Sequence, residues 1–186
     1  MIFEERKYTI NGKELVLRSA TNDDAEMLIN FLKKVTGETR FLMMESDEAD
    51  LSLEDEYEFL KKHNESDGAM LIMGFLDGEH VGNCSFTRVS GSRRYNHRAN
   101  IGIALLQKFT GQGIGRLMLN VMLDEIKKLG FEQAELIVID HNDRAKHLYE
   151  SLGFKECGRY PNANKYDDGT YADDILMVKN FLNDLR

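Results

Sequence analysis

Proline occurs once in the 186 residues, at Pro161, and no stretch rich in proline or serine interrupts the chain. Without linker, low-complexity tract or internal repeat to divide it, a single domain over residues 1–186 is expected, long enough to bury a substantial core. Cysteine is nearly as scarce. Cys84 and Cys157 are too few for a disulfide framework, and neither belongs to a metal-type pair. Both are expected as small buried strand residues. Long apolar runs are missing as well: residues 69–76 and 136–139 fall far short of the roughly 20 that a membrane helix needs. Residues 1–7 carry Glu4 and Glu5 and no apolar signal core, so a cytoplasmic location away from membranes is expected. Basic residues are outnumbered, 24 against 32 acidic, for a net charge of −8. That balance argues against nucleic acid, whose phosphates must be neutralised by Lys and Arg, and favours small or cationic partners. A homodimer is left open.

What is present is a regular alternation of short elements. Asn11-Gly12, Asp77-Gly78 and Asp168-Gly169 each stand between strand-like residues, the short-range signature of a hairpin. Strands are read at residues 14–19, 70–77, 80–89, 98–106, 134–140, 154–160 and 171–178, and helices at 22–34, 53–62, 114–129 and 142–152. The third helix repeats Ile114, Leu117, Met118, Val121, Met122, Ile126 and Leu129, a stripe that faces a core. Lys127, Lys128 and Gly130 mark its end. This order predicts a mixed α+β fold with helices on both faces of a sheet.

Residues 105–116 run from a strand through a glycine-rich turn straight into that amphipathic helix. Gly111, Gly113 and Gly115 let the backbone bend tightly, and the new helix leaves its first N–H groups unpaired at the positive end of its dipole. Phosphate oxygens bind well at such a place. A dinucleotide turn wants G-x-G-x-x-G, but the third position here is Arg116. A Walker loop ends in G-K-[ST], where this chain has Gly115-Arg116-Leu117. Neither nucleotide motif fits, and an ordinary strand–helix connection is the plain alternative.

The second informative stretch is residues 141–154. Asn142 or Asp143 can cap a helix whose buried face is Ala145, Leu148, Tyr149 and Leu152. Asn142 and Tyr149 stand two turns apart and project to one side. A carboxamide and a phenol in line suit an extended, amide-bearing ligand with reactive chemistry at one end. Taken singly, Asn is a common cap and a helical Tyr is commonly core.

Together the two stretches resemble the GNAT superfamily of N-acetyltransferases. Its acetyl-CoA motif, [RQ]-x-x-G-x-[GA], maps onto Thr110-Gly111-Gln112-Gly113-Ile114-Gly115, with Thr110 standing where the family usually has Arg or Gln. Its later signature, N-x-x-A-x-x-L-Y-x-x-x-G-F, is matched at Asn142, Ala145, Leu148, Tyr149, Gly153 and Phe154. The resemblance spans about residues 15–178. It implies a central, mostly antiparallel seven-stranded sheet with helices on both faces, and direct attack of an amine on the thioester of acetyl-CoA in a ternary complex. In this implied scheme the backbone of Ile103, Ala104 and Leu105 holds pantetheine and the acetyl carbonyl. Thr110, Gly111, Gln112, Gly113, Ile114, Gly115 and Arg116 cradle the pyrophosphate, Asn142 contacts pantetheine, and Tyr149 protonates the departing sulfur. No metal is implied, and the acceptor is a small amine or a peptide.

Relatives often carry a glutamate base in the strand that here reads Asn100-Ile101-Gly102-Ile103, and Asn100 takes no proton. His97, or a water chain towards Glu45 or bulk solvent, are the alternatives for the base. Eight acids and no base lie between Glu45 and Glu58 (Glu45, Asp47, Glu48, Asp50, Glu54, Asp55, Glu56, Glu58), either an attractive wall for cationic amines or a solvated helix face. Met43 and Met44 precede it, as pocket lining or core. His141 and His147, with Glu150 beyond, match no zinc spacing and read as surface residues. Two rivals keep the fold and change the activity: a non-catalytic acyl-CoA sensor, and an acetyltransferase acting on protein N-termini.

Overall fold

The computed structural model describes residues 1–182. Eight strands, β1 (Arg6–Ile10), β2 (Lys13–Ser19), β3 (Ala69–Leu76), β4 (Glu79–Arg88), β5 (Arg98–Leu105), β6 (Gln133–Ile139), β7 (Lys155–Lys165) and β8 (Tyr171–Asn180), follow the order β1-β2-β3-β4-β5-β6-β8-β7 in one sheet. Four helices accompany them: α1 (Ala25–Glu38), α2 (Leu53–Glu65), α3 (Ile114–Lys128) and α4 (Asp143–Ser151). The expected mixed fold with a mostly antiparallel sheet is found, with eight strands instead of seven. The additional one is β1, whose alternating half-buried and exposed residues carry too little apolar character to stand out.

The chain divides into two compact units, and β5 and α3 contribute to both. The first holds residues 1–40, 44–87 and 102–122. Here β1, β2 and β3 pair antiparallel, with Tyr8 opposite Leu15 and Leu17 opposite Gly74. Two-residue turns at Asn11-Gly12 and Asp77-Gly78 join β1 to β2 and β3 to β4, and both residues of each have positive φ. These are the mirror-image turns whose twist suits a hairpin. Strand β3 is buried at every position. Leu28 of α1 and Leu60 of α2 join Leu71, Met73 and Phe75 of β3 in one apolar cluster.

The entry to α1 is tied by charge. Arg18 donates from both terminal nitrogens to Asp24, each at 2.7 Å, and its guanidinium lies 4.5 Å over the Phe75 ring. Asp24 also accepts from the Thr21 backbone N–H and hydroxyl, at 2.8 and 2.9 Å. Helix α2 begins with Ser52, whose hydroxyl accepts from the Asp55 N–H at 3.1 Å while Asp55 reaches back to the Ser52 N–H.

The second unit holds residues 41–43, 88–101 and 123 onwards. Strand β6 pairs parallel with β5 over Arg98↔Gln133, Ala99↔Ala134 and Asn100↔Glu135, and antiparallel with β8 along its whole length. Arg98 grips Glu135 bidentately at 2.9 Å. The Asp168-Gly169 hairpin is longer than two residues: Tyr166 donates its N–H to the Thr170 carbonyl at 2.9 Å.

Three sequence expectations need correcting. Leu129 lies just beyond α3 and is exposed, because the stripe ends with Ile126. Strand β7 passes Pro161 and continues to Lys165, as an edge strand with a register shift between Tyr160 and Asn164 tolerates proline. Cys157 is exposed, like nearly all of the edge strand β7; Cys84 is buried as expected.

The Arg18 guanidinium holds the Asp24 carboxyl at about 2, below its ordinary 3.8. A depressed carboxylate stabilises the fold above its unfolded value, and that contribution disappears as pH falls through the folded one. Asp24→Asn is therefore expected to lower stability at pH 7 by on the order of 1–2 kcal/mol, after allowance for the half-exposed arginine. Urea unfolding at pH 7 and pH 2.5 checks this: the gap between variant and native chain should narrow at the acid end.

Candidate active site

In the first unit β5 passes into the glycine turn and then α3, and the turn is shaped by backbone bonds at its start, from Phe109 to Leu106 and from Thr110 to Gln107, and by side chains that bond to backbone. Leu106 donates its N–H to the Val81 carbonyl at 3.0 Å, closing the ladder between β4 and β5. Gln107 donates its N–H to Glu38, at the end of α1, at 2.6 Å. The Thr110 hydroxyl donates to the Gln107 carbonyl at 2.5 Å, and the Gln112 amide to the Lys108 carbonyl at 2.9 Å. Asn11, in the first hairpin turn, donates to the Gln112 carbonyl at 3.2 Å. These contacts fold the Thr110 and Gln112 side chains back onto the carbonyls of Gln107 and Lys108 as braces.

Gly113 has φ +88, and a β-carbon there would sit 3.5 Å from Ile10, so backbone conformation more than space demands glycine. The first helical bond of α3 runs from the Leu117 N–H to the Gly113 carbonyl. The N–H groups of Ile114, Gly115 and Arg116 therefore precede the intrahelical ladder and sit at the positive end of the helix dipole. Ile114 and Gly115 are buried, while Gly111, Gly113 and Arg116 are exposed. Ile103, Ala104 and Leu105 are half-buried on β5 just before the turn. Their strand extends past the three paired positions of the parallel ladder with β6.

Gly82 on β4 belongs with this group, although motif reading passed over it. Its φ is +153, and an added β-carbon would meet the Ala104 carbonyl oxygen at 2.2 Å and Leu105 Cα at 2.8 Å. Only glycine lets β4 approach β5 so closely there. The signal available in the sequence was a glycine inside a strand pattern, which marks close backbone approach.

Asn142 and Tyr149 lie in the second unit, on α4. Asn142 is the cap: its side-chain oxygen accepts from the Ala145 N–H at 3.3 Å, which leaves its amide protons to donate elsewhere. Tyr149 and Leu152 are buried and Ala145 and Leu148 half-buried. The Tyr149 ring meets Phe154 edge-on at 5.9 Å. Burial pushes its phenol up to about 12. His141, with φ +68, and His147 are exposed. His97 is half-buried and its carbonyl accepts from the Glu132 and Gln133 N–H groups at 2.9 and 3.2 Å, whereas Asn100 is exposed. Among the described residues no three His, Cys, Asp or Glu side chains gather as a metal site would require, and no helix is long and apolar enough to cross a membrane.

The acidic stretch divides on inspection. Asp50 pairs with Lys33 at 2.8 Å, Asp55 serves the α2 cap, and Glu48 accepts from the Glu45 N–H at 2.8 Å. Glu56 is buried, which raises its carboxyl above the usual range. Met43 is 87% exposed and Met44 half-buried, so Met43 is no core filler.

A sequence profile described as the acetyltransferase (GNAT) family matches residues 36–154. The chain belongs to that family. It is an acyltransferase by this membership. An acetyltransferase of the GNAT family from Streptococcus pneumoniae has a similar crystal structure: TM-score 0.84, 29% identity, covering 89% of this chain and 99% of that one. YwnH of Bacillus subtilis (strain 168), provisionally named a phosphinothricin acetyltransferase, is 25% identical over 162 residues, 87% of this chain and 97% of its own. The [ribosomal protein bS18]-alanine N-acetyltransferase of Escherichia coli (strain K12) is 38% identical over 76 residues, 41% of this chain and 51% of its own.

The close approach at Gly82 predicts a sharp contrast with another strand glycine, Gly102. Gly82→Ala must displace the Ala104 backbone and is expected to lose at least ~2 kcal/mol of stability. Gly102→Ala, on β5 with nothing within 4 Å of the new methyl, should stay within about 0.5 kcal/mol of the native chain. Thermal unfolding of the two variants measures both.

Proposed function

We propose that this chain transfers the acetyl group of acetyl-CoA to a primary amine by direct attack within a ternary complex, with residues 1–186 acting as one N-acetyltransferase domain. The observation that carries the reading is the phenol of Tyr149, buried, neutral and two helical turns along α4 from the Asn142 amide. Held near 12, it stays protonated through the whole neutral range. A thiol ordinarily titrates near 8.5, so this phenol is the weaker acid of the two and full proton transfer from it to a free thiolate is uphill. Tyr149 then acts first as a hydrogen-bond donor to the sulfur while the carbon–sulfur bond breaks. The proton follows because the same burial that raises the phenol also disfavours a thiolate beside it, and the phenolate is re-protonated by the proton that the amine gives up.

The other residues take supporting roles in this reading. Backbone N–H groups from Gly111 to Arg116 receive the pyrophosphate oxygens, and that backbone character makes the Thr110 departure tolerable. The Asn142 amide donates to a pantetheine carbonyl, and the Ile103–Leu105 backbone orients the acetyl group. The amine loses its proton to His97 or through water, since Asn100 cannot accept it. An acceptor class of small amines is supported by the likeness to YwnH, and peptide N-termini by the shorter likeness to the bS18-alanine enzyme.

Thiol release from acetyl-CoA, followed over a panel of amines and peptides, tests the function. Turnover is expected; binding of acetyl-CoA without release above background would make the chain a sensor. Tyr149→Phe keeps the ring and removes the donor. Its kcat should fall by roughly 10²–10⁴-fold with acetyl-CoA affinity nearly unchanged. A loss confined to KM would make Tyr149 a binding residue, and values within twofold of native would end its assignment.

A further inference from the structure

On one side of α4, a chain of ions within the second unit links the turn that launches the helix to the middle of the helix itself. Asp140, just after β6, accepts from the His141 N–H at 3.0 Å and from Arg159 at 3.1 Å. Arg159 donates through Nε to Glu156 at 2.8 Å, and the other oxygen of Glu156 accepts from Lys146 at 2.8 Å. Asn142, Lys146 and Tyr149 stand at i, i+4 and i+7 and so form a single stripe of α4. Lys146 is the middle member of the stripe that carries both proposed cofactor-facing side chains.

The strand is built to make this possible. Residues three apart on a regular strand point to opposite faces, so Glu156 and Arg159 should not meet. The register of β7 against β8 goes from Glu156↔Met177 to Gly158↔Leu176 and Arg159↔Ile175, leaving Cys157 as a bulge. The bulge resets the alternation and places both charges on the side of Met177 and Ile175. A local irregularity that would weaken a plain edge strand thus creates the pair.

We propose that the ion chain Asp140–Arg159–Glu156–Lys146 is a positioning device that fixes the roll of α4 and so the aim of the Tyr149 hydroxyl, with Glu156 as its pivot. The proposal rests on the acetyl-transfer reading given above. Its members are partly solvent-exposed, at 24–40% of their side-chain surface, where ion pairs add little to stability. Stability has other guardians: Asn142 caps the start of α4, and Lys179 donates to the Leu152 carbonyl at its end at 2.6 Å. Breaking the chain should therefore spare the fold and disturb the aim. Reacting groups misplaced by about 1 Å lose rate by up to 10²-fold.

Glu156→Gln in the full chain is the test. Its melting temperature should stay within about 2 °C of native, while amide exchange in residues 143–151 should quicken at least about tenfold. On the best acceptor from the amine and peptide panel, kcat should fall by about tenfold or more, with KM for acetyl-CoA within about twofold. Added to Tyr149→Phe, the substitution should bring no further loss, because its effect passes through the phenol. Unchanged exchange in α4, unchanged kcat, or full additivity with Tyr149→Phe would each overturn the proposal. So would a melting loss with faster exchange throughout the second unit, which marks a merely structural role. Tyr149→Phe alone judges the catalytic assignment: a silent Tyr149→Phe rejects that assignment and the aiming of the phenol with it, whereas a slow Tyr149→Phe beside a Glu156→Gln with unchanged kcat and unchanged α4 exchange rejects the positioning alone.

Discussion

Unpaired backbone donors are the constraint around which the first unit is arranged. If residues 111–116 offer their N–H groups to a ligand as proposed, they cannot also satisfy them internally, and the turn's own backbone bonds are confined to its start, from Phe109 to Leu106 and from Thr110 to Gln107. The rest of its shape must come from elsewhere. Here it comes from Glu38 at the end of α1, Asn11 in the first hairpin, and the folded-back side chains of Thr110 and Gln112. The hairpin β1–β2 thus has a use beyond extending the sheet edge, since its turn residue braces the loop at Gln112. Bracing from side chains leaves the main chain of the turn available, and glycine at 113 lets it hold a left-handed conformation without strain.

The second unit solves a different problem. A helix of nine residues is too short to be stable alone, and its phase is set by what surrounds it. Packing supplies part of the answer through Tyr149, Leu152 and Phe154, all buried. Apolar contacts are non-directional, however, and tolerate small rolls. Hydrogen-bonded ions are directional, and on this helix they engage Lys146, midway along the stripe between Asn142 and Tyr149. The division of labour follows from the physics: burial holds the helix on, and charge geometry chooses its angle.

Much of this was legible from the residues alone because it depends on local chemistry. Helix α3 announces itself through its stripe and terminal lysines, and the Asn-Gly and Asp-Gly pairs mark real hairpins. The capping role of Asn142 and the burial of Tyr149 followed from spacing. What escaped depends on contacts distant in sequence. Strand β1 has no apolar face strong enough to show itself, and it exists through pairing with β2. Gly82 matters because of backbone about twenty residues away, and Cys157 is exposed because β7 is the edge of the sheet. No local pattern encodes a bulge, and without it Glu156 and Arg159 look like unrelated surface charges.

The acidic segment between Glu45 and Glu58 shows how far a count of charges misleads. Eight carboxylates suggest a strong pull on cations, yet several are already engaged. Lys33 neutralises Asp50, Ser52 holds Asp55 in a cap, and Glu48 is turned onto the Glu45 backbone. Glu56 differs in kind, being buried with its ionised form disfavoured. The exposed and less committed charges, Glu45, Asp47, Glu54 and Glu58, lie in water, where a Debye length of about 8 Å at physiological salt limits their reach. Attraction of a cationic acceptor by this segment is then a short-range effect of a few residues, weaker than the formal charge implies. In the proposed function, selectivity among amines must then come from shape and from hydrogen bonds made at the acceptor itself.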